Sequence, residues 1–198
     1  MVPVDLPEAL ESIVELHLTP PRIAHSKGVA RLSFDLCMRN GLEPKRGWLA
    51  GLCHDICREM PFPKQQFYTR VFERSPLGFR LTPGLLDKRI IHGPAAAGFL
   101  IAEFEIGDAE ILESVARHTL GAAGMSSLAC IVYAADKLES GRLNVDPAFR
   151  LRCMNLIPAD LFMAVFSDSI SWMKSMNKAI ADESLVLYNS LVRAGTSQ

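Results

Sequence analysis

An all-α fold, built as one helical bundle, is what this chain of 198 residues predicts. Three observations lead there. Apolar residues recur at helical spacing along nearly the whole chain, and few runs show the strict alternation of a half-buried strand. Proline, glycine and asparagine fall between the periodic segments, where helices start and stop. Hydrophobic residues make up 49% and charged residues 22%, an ordinary soluble composition with apolar surface enough for one sizeable core at this length. No internal repeat, low-complexity tract or linker divides residues 1–198, which read as a single domain.

The elements follow in order. The first helix covers Pro7 to about Leu18 and is closed by Thr19-Pro20-Pro21, because proline suits the first turn of the helix that follows. The second runs from about Pro21 to Arg39 and stops at Asn40-Gly41. Pro44 opens a third, whose last turn carries His54 and Asp55. Residues 58–63 read as a break, 64–74 as a short helix and 75–84 as a loop. A further break surrounds His92, since Gly93-Pro94 follows it, and a helix restarts at Ala95. Asp108 is expected as the N-cap of a helix from Ala109 to His118. After a turn at residues 121–124, a helix from Met125 or Ser126 to about Leu138 carries Asp136 near its end. Helices from Asp160 to Lys178 and from Asp182 to Val192 close the domain.

Composition narrows the function classes. A formal net charge of -1 offers nothing to draw the whole molecule toward a nucleic-acid backbone, although local basic groups could hold a small anion. No stretch approaches the roughly 20 apolar residues of a membrane span, and the N-terminus lacks the basic start and apolar run of a secretory signal. The expectation is a cytoplasmic protein. Its five cysteines, Cys37, Cys53, Cys57, Cys130 and Cys153, then read as small buried hydrophobes rather than disulfide partners. Cys53 and Cys57 flank the His-Asp pair without forming a Cys-x-x-Cys knuckle.

The chemistry centres on Cys53-His54-Asp55-Ile56-Cys57. An imidazole and a carboxylate side by side at the end of a buried helix can hold one divalent metal if distant residues complete the shell. Candidates stand in short phrases: His25 in Arg22-Ile23-Ala24-His25-Ser26, His92 before Gly93-Pro94, His118 in Arg117-His118-Thr119, and Asp136 in Ala134-Ala135-Asp136-Lys137. Taken singly, each has a plain alternative, a hydrogen-bonded core histidine or a helix-end charge. His17 keeps that plain reading. Together, in the order His, His-Asp, His, His, Asp, and clustered near helix ends, they suggest one shared pocket.

These phrases resemble the HD-domain metal-dependent phosphohydrolases, and most closely the YqeK-like symmetrical bis(5'-nucleosyl)-tetraphosphatase branch. The resemblance rests on Arg22-x-x-His25-Ser26-x-x-Val29-Ala30, Ala50-Gly51-Leu52-x-His54-Asp55, His92-Gly93-Pro94, His118-Thr119-x-Gly121-x-x-Gly124-Met125, Ala135-Asp136 with Arg142, and Tyr188-Asn189-x-Leu191. It spans nearly the whole chain and implies a single HD-type bundle, with a metal-binding core at about residues 20–140 and closing helices at about 158–193. One departure stands out. The branch usually has an aromatic residue after the distal aspartate and a proline before the arginine, whereas this chain has Asp136-Lys137-Leu138-Glu139-Ser140-Gly141-Arg142.

The resemblance implies His25, His54, Asp55 and Asp136 as metal ligands and iron as the metal; two imidazoles and two carboxylates suit Mn, Co or Zn as well. Such a metal would turn a bound water into a nucleophile near neutral pH and neutralise phosphoryl charge, with Asp55 or Asp136 steadying that water. His92 and His118 imply either a second metal or contacts to substrate phosphates that could also protonate a leaving nucleoside diphosphate. Substrate contact and a mononuclear site are preferred, a binuclear one remaining open. Thr119, Lys137 and Arg142 are expected at phosphates or nucleotide, and Lys174 and Asn177 in a segment that in the family contacts nucleotide, although a solvated helix end explains that segment equally well. The implied reaction is hydrolysis of diadenosine tetraphosphate to two ADP. The alternatives are another nucleotide-cleaving HD phosphohydrolase and a catalytically silent nucleotide-sensing module. The expected partner is a small dinucleoside polyphosphate or nucleoside diphosphate, without nucleic acid or membrane. Periodicity leaves a homodimer open.

Overall fold

The computed structural model describes residues 6–81 and 86–195, and no strand occurs among them. The described helices are α1 (Leu6–His17), α2 (Pro20–Arg39), α3 (Pro44–Cys53), α4 (Phe62–Arg74), α5 (His92–Phe104), α6 (Ala109–Arg117), α7 (Ser127–Leu138), α8 (Pro147–Cys153), α9 (Pro158–Ser175) and α10 (Asp182–Gly195).

Local chemistry explains most boundaries. Proline stands in the first turn of α2, α3, α4, α8 and α9, where its missing N–H costs no intrahelical bond. Asp108 caps α6 by accepting from the amides of Glu110 and Ile111, and Ser126 caps α7 by accepting from Ala129. Two expectations need correction. His92 lies not in a loop but at the first position of α5, because Gly93-Pro94 occupies the opening turn, where proline is tolerated. Residues 147–153 form an unforeseen helix, α8, capped by Asp146 through the amides of Ala148 and Phe149.

Helix α7 lies at the centre, buried along nearly its whole length and packed against α2, α6 and α9. Its apolar residues join those of α1 to α6 and α9 in one continuous core. The α2–α3 contact is the tightest that bears on function. A Cβ on Gly51 would meet Ala30 Cα at 2.8 Å and Val29 O at 2.9 Å, so only glycine lets the two backbones meet there. That contact fixes the end of α3, and with it the His-Asp pair, against the middle of α2.

Candidate active site

Two histidines are set by the same device. His54 follows the last residue of α3, and its Nδ1 lies 2.7 Å from Gly51 O; His118 follows the last residue of α6, with Nδ1 2.7 Å from Val115 O. Each ring uses a carbonyl left over at its helix end, and a carbonyl can only accept. The proton therefore sits on Nδ1, and each Nε2 presents its lone pair inward. The two ring centroids are 4.8 Å apart, and the His25 ring lies 5.2 Å from that of His54.

The remaining groups close around them. His25 Nε2 is 3.0 Å from Asp136 Oδ1, which is 3.7 Å from His54 Nε2, which in turn is 3.6 Å from Asp55 Oδ2. The other Asp55 oxygen, Oδ1, is 3.2 Å from His92 Nε2 and 3.6 Å from His118 Nε2, and those two nitrogens are 3.1 Å apart. His25, His54 and Asp136, and likewise His54, Asp55 and His118, can each offer one ligand atom to a common point. Ligand bonds of about 2.1 Å give ligand-to-ligand separations of about 3.0 Å at right angles and about 3.4 Å at tetrahedral angles; the separations here run from 3.0 to 3.7 Å. His54 Nε2 and Asp55 Oδ1 are buried without a well-directed hydrogen bond, although such groups are costly to leave unmet. The cluster is able to bind a metal.

Its electrostatics suit that purpose. Burial pushes the His54 and His92 imidazolium pKa values down to about 4, so both rings are neutral near pH 7, the form that ligates. Burial opposes ionisation of Asp55 and Asp136, yet the His54 ring beside Asp55 and the Lys137 ammonium beside Asp136 hold both carboxyls well below their usual range. For His25, burial works against the charged form, but the hydrogen bond to Asp136 overrides it and the pKa is raised.

An outer layer of side chains holds these candidate ligands in place. Glu139, buried at the end of α7, accepts from Gly141 N at 2.5 Å and lies 3.2 Å from His25 Nδ1. It fills the space beside Gly28, where an added Cβ would come within 2.8 Å of its Oε2. Lys137 Nζ bonds Asp136 Oδ2 at 2.8 Å and His118 O at 2.6 Å; Arg142 Nη2 bonds Asp136 Oδ1 at 2.8 Å. Arg22 Nη1 bonds Asp55 Oδ2 at 2.8 Å, and Arg58 Nη1 donates to His92 Nε2 at 2.8 Å. Sequence reasoning missed Glu139 and Arg58 as site residues. A signal for both was present, since each stands three residues beyond a ligand candidate, Asp136 and Asp55.

A cleft of about 760 Å³ opens beside the cluster, lined among others by Thr119, Tyr133, Lys137, Arg142, Arg152, Asp168 and Trp172. Thr119 Oγ1 reaches both His118 Nε2 (3.2 Å) and His92 Nε2 (3.4 Å). Lys174 and Asn177 are not among the lining residues. The Lys174 ammonium instead lies 4.4 Å from the Tyr188 ring centroid, and Asn177 has a left-handed φ of 50° after the end of α9.

A model of the HD domain matches residues 22–141, more than half of the chain and the span from Arg22 through Glu139. The chain belongs to the HD domain family. The match ends short of α8, α9 and α10. Over nearly its whole length the chain is also similar to two proteins named bis(5'-nucleosyl)-tetraphosphatase, symmetrical. One, from Bacillus subtilis, is 28% identical over 189 residues, covering 93% of this chain and 96% of the relative. The other, from Halalkalibacterium halodurans, is 27% identical, covering 91% and 94%. A crystal structure from Clostridium acetobutylicum, described as a predicted HD superfamily hydrolase involved in NAD metabolism, superposes with a TM-score of 0.77 at 22% identity, covering 94% of this chain and 97% of its own. That likeness bears out the all-α fold.

Proposed function

We propose that this HD-domain protein hydrolyses diadenosine tetraphosphate symmetrically to two molecules of ADP, with His25, His54, Asp55 and Asp136 holding a metal. The observation that carries the reading is the meeting at His54 of two candidate ligand groups, His25 with Asp136 and Asp55 with His118, two of whose buried atoms lack directed hydrogen bonds, beside a cleft lined by Lys137, Arg142 and Arg152. The full-length similarity to two symmetrical tetraphosphatases supports the choice of substrate. When bound, a divalent metal supplies a water nucleophile near neutral pH and neutralises phosphoryl charge. Iron is the reading for its identity; Mn, Co and Zn fit the same donors. No described helix is long and apolar enough to cross a membrane. Action on a small nucleotide in the cytoplasm, by five free and buried thiols' account, belongs to the same proposal.

The chain's own residues divide the remaining work. Asp55 stays ionised and positions the attacking water. His92 and His118, with Thr119, face the phosphoryl group undergoing attack. His92 acts there as a neutral hydrogen-bonding group, because burial keeps it uncharged near pH 7. No general acid is required of it, since the leaving ADP carries a phosphate whose second pKa is about 6 and departs as a stable anion. Lys137 and Arg142 hold phosphate oxygens on the Asp136 side, and Lys174 and Asn177 are left as helix-end residues. The approach of both His92 Nε2 and His118 Nε2 to Asp55 Oδ1 favours, as a second reading, a second metal that Asp55, His92 and His118 would hold.

The test is to incubate metal-loaded protein with diadenosine tetraphosphate and resolve the nucleotides. ADP as the only product is expected. ATP plus AMP would refute symmetrical cleavage, and no turnover with any of the four metals would sink the enzyme reading.

A further inference from the structure

A second cavity, of about 560 Å³, shares no lining residue with the cleft beside Lys137 and Arg142. Its walls come from Phe79 and Arg80 beyond α4, from Arg117 and the turn at residues 120–123, and from Val186 and Leu187 of α10. That turn joins it to the site. Thr119 lines the first cleft, Arg117 and Leu120 line the second cavity, and His118 stands between them in the chain with its ring in the ligand cluster. Gly121, at a left-handed φ of 68°, lines the second cavity while backing onto the first. A Cβ there would come within 2.8 Å of Phe162 and 3.5 Å of Tyr133, and Tyr133 belongs to the wall of the first cleft. The turn that carries His118 is thus a wall common to both cavities.

We infer that the second cavity binds one nucleoside of a dinucleoside tetraphosphate while the first cleft takes the other, the phosphate chain crossing the turn at His118. This rests on the hydrolase reading above and adds to it a place for the second base. A symmetrical substrate carries two identical nucleosides, one at each end of its phosphates. With one nucleoside cavity the far base would hang in solvent and contribute nothing to recognition; with a cavity on each side of a cluster histidine, both ends are held and the midpoint falls between them.

The chemistry of the lining suits a nucleoside rather than a phosphate. Arg80 and Arg117 are matched by Asp182 and Glu183, so the walls carry no net charge to draw an anion inward. Flat surfaces are present instead. The Arg117 guanidinium lies 3.8 Å from the Phe79 ring centroid, and both groups line the cavity. Arg117 Nε is buried without a directed hydrogen bond, 3.5 Å from Glu113 Oε1, so the stack on Phe79 helps to set the plane of the guanidinium. Guanidinium planes and aromatic rings are the surfaces on which bases stack. Leu120, Ala122, Val186 and Leu187 add apolar wall, while the Asp182 carboxylate and the Ser190 hydroxyl can accept from a base amino group or a ribose hydroxyl. A few polar groups on a mostly apolar lining, in a volume within the roughly 300–1,000 Å³ of small-molecule sites, is the usual make-up of a ligand pocket.

A substrate that lacks one nucleoside tests this. Adenosine 5'-tetraphosphate has the same four phosphates and a single base, and water attack at the midpoint of its chain gives ADP and pyrophosphate. The metal-loaded protein should use diadenosine tetraphosphate with a kcat/KM about tenfold to a hundredfold above that for adenosine tetraphosphate, the worth of one stacked base. Val186→Trp and, separately, Ala123→Trp fill the cavity from exposed positions that leave the core untouched. Each should bring that ratio down toward one, chiefly through a higher KM for diadenosine tetraphosphate, with circular dichroism confirming the fold. Two variants are used so that misfolding of one leaves the other to decide. A wild-type ratio near one, or a high ratio kept by a folded variant, overturns the inference and leaves the hydrolase reading standing. Absence of turnover of either substrate by the unmodified protein overturns the hydrolase reading itself.

Discussion

Replacing Glu139 probes how the chain orients its first ligand. The carboxylate makes three contacts at once: His25 Nδ1 at 3.2 Å, Gly141 N at 2.5 Å and Arg142 Nε at 3.9 Å. With an acceptor on Nδ1, the His25 ring is held with Nε2 toward Asp136 and its basicity as a ligand rises. Glu139→Ala removes that acceptor, leaves the Gly141 N–H without its partner and opens space beside Gly28. Loss of such a carboxylate–histidine contact costs metal affinity about 10- to 100-fold, or roughly 1.4 to 2.8 kcal/mol. The unmet amide adds a fold-stability loss of about 1–3 kcal/mol. Glu139→Gln keeps the shape and one acceptor oxygen, which can serve His25 or Gly141 but not both, so its metal affinity should fall between wild type and Glu139→Ala. Titration with Mn²⁺ by calorimetry, beside urea unfolding, measures both quantities. Unchanged metal affinity in a folded Glu139→Ala protein would show that Glu139 does not orient a ligand.

Two further changes test the scaffold. Gly51→Ala should lower stability by about 1–3 kcal/mol, because the new methyl meets the backbone of α2, and should weaken metal binding, because Gly51 O fixes the His54 ring; wild-type urea unfolding would refute the close approach. Asp108→Ala should cost about 1 kcal/mol or more through loss of the α6 cap. Burial works against ionised Asp108, but the Arg46 bond at 2.6 Å leads the effects that depress its folded pKa. A depressed carboxyl contributes stability that is present above its unfolded pKa of about 3.9 and is lost as pH falls through the folded value. The acid side of the stability profile should therefore be shallower in the variant, and an unaltered slope between pH 5 and pH 2 would contradict it.

The ligand candidates were legible because each sits beside punctuation: His54-Asp55 after a buried glycine-containing helix, His92 before Gly93-Pro94, His118 before Thr119. Their placement near helix ends suggests a shared pocket, but only the resemblance says which residues meet there, since spacing along the chain cannot say which helix ends come together. What escaped was the layer behind them. Arg58 stands three residues after Asp55 and Glu139 three after Asp136, a spacing that brings side chains to one face of a helix or tight turn. In a chain with 22% charged residues such pairs are common, and only burial singles out Glu139 from a solvated acid. Helix α8 escaped for a similar reason: Asp146-Pro147 is a proper start, but the segment is short and its apolar face small, with Cys153 its one fully covered residue. The expectation for Lys174 rests on the family resemblance of its segment; in the structure its ammonium lies 4.4 Å from the Tyr188 ring centroid.

The central claim is that His54 and Asp55, with His25 and Asp136, hold the metal on which activity depends. Elemental analysis of protein purified without chelator, run on the wild type and on His54→Ala and Asp55→Ala variants with circular dichroism as the fold control, tests it most directly. The account predicts bound transition metal in the wild type and its loss from both variants while their helical signal persists. Metal retained at wild-type content in either folded variant would contradict it.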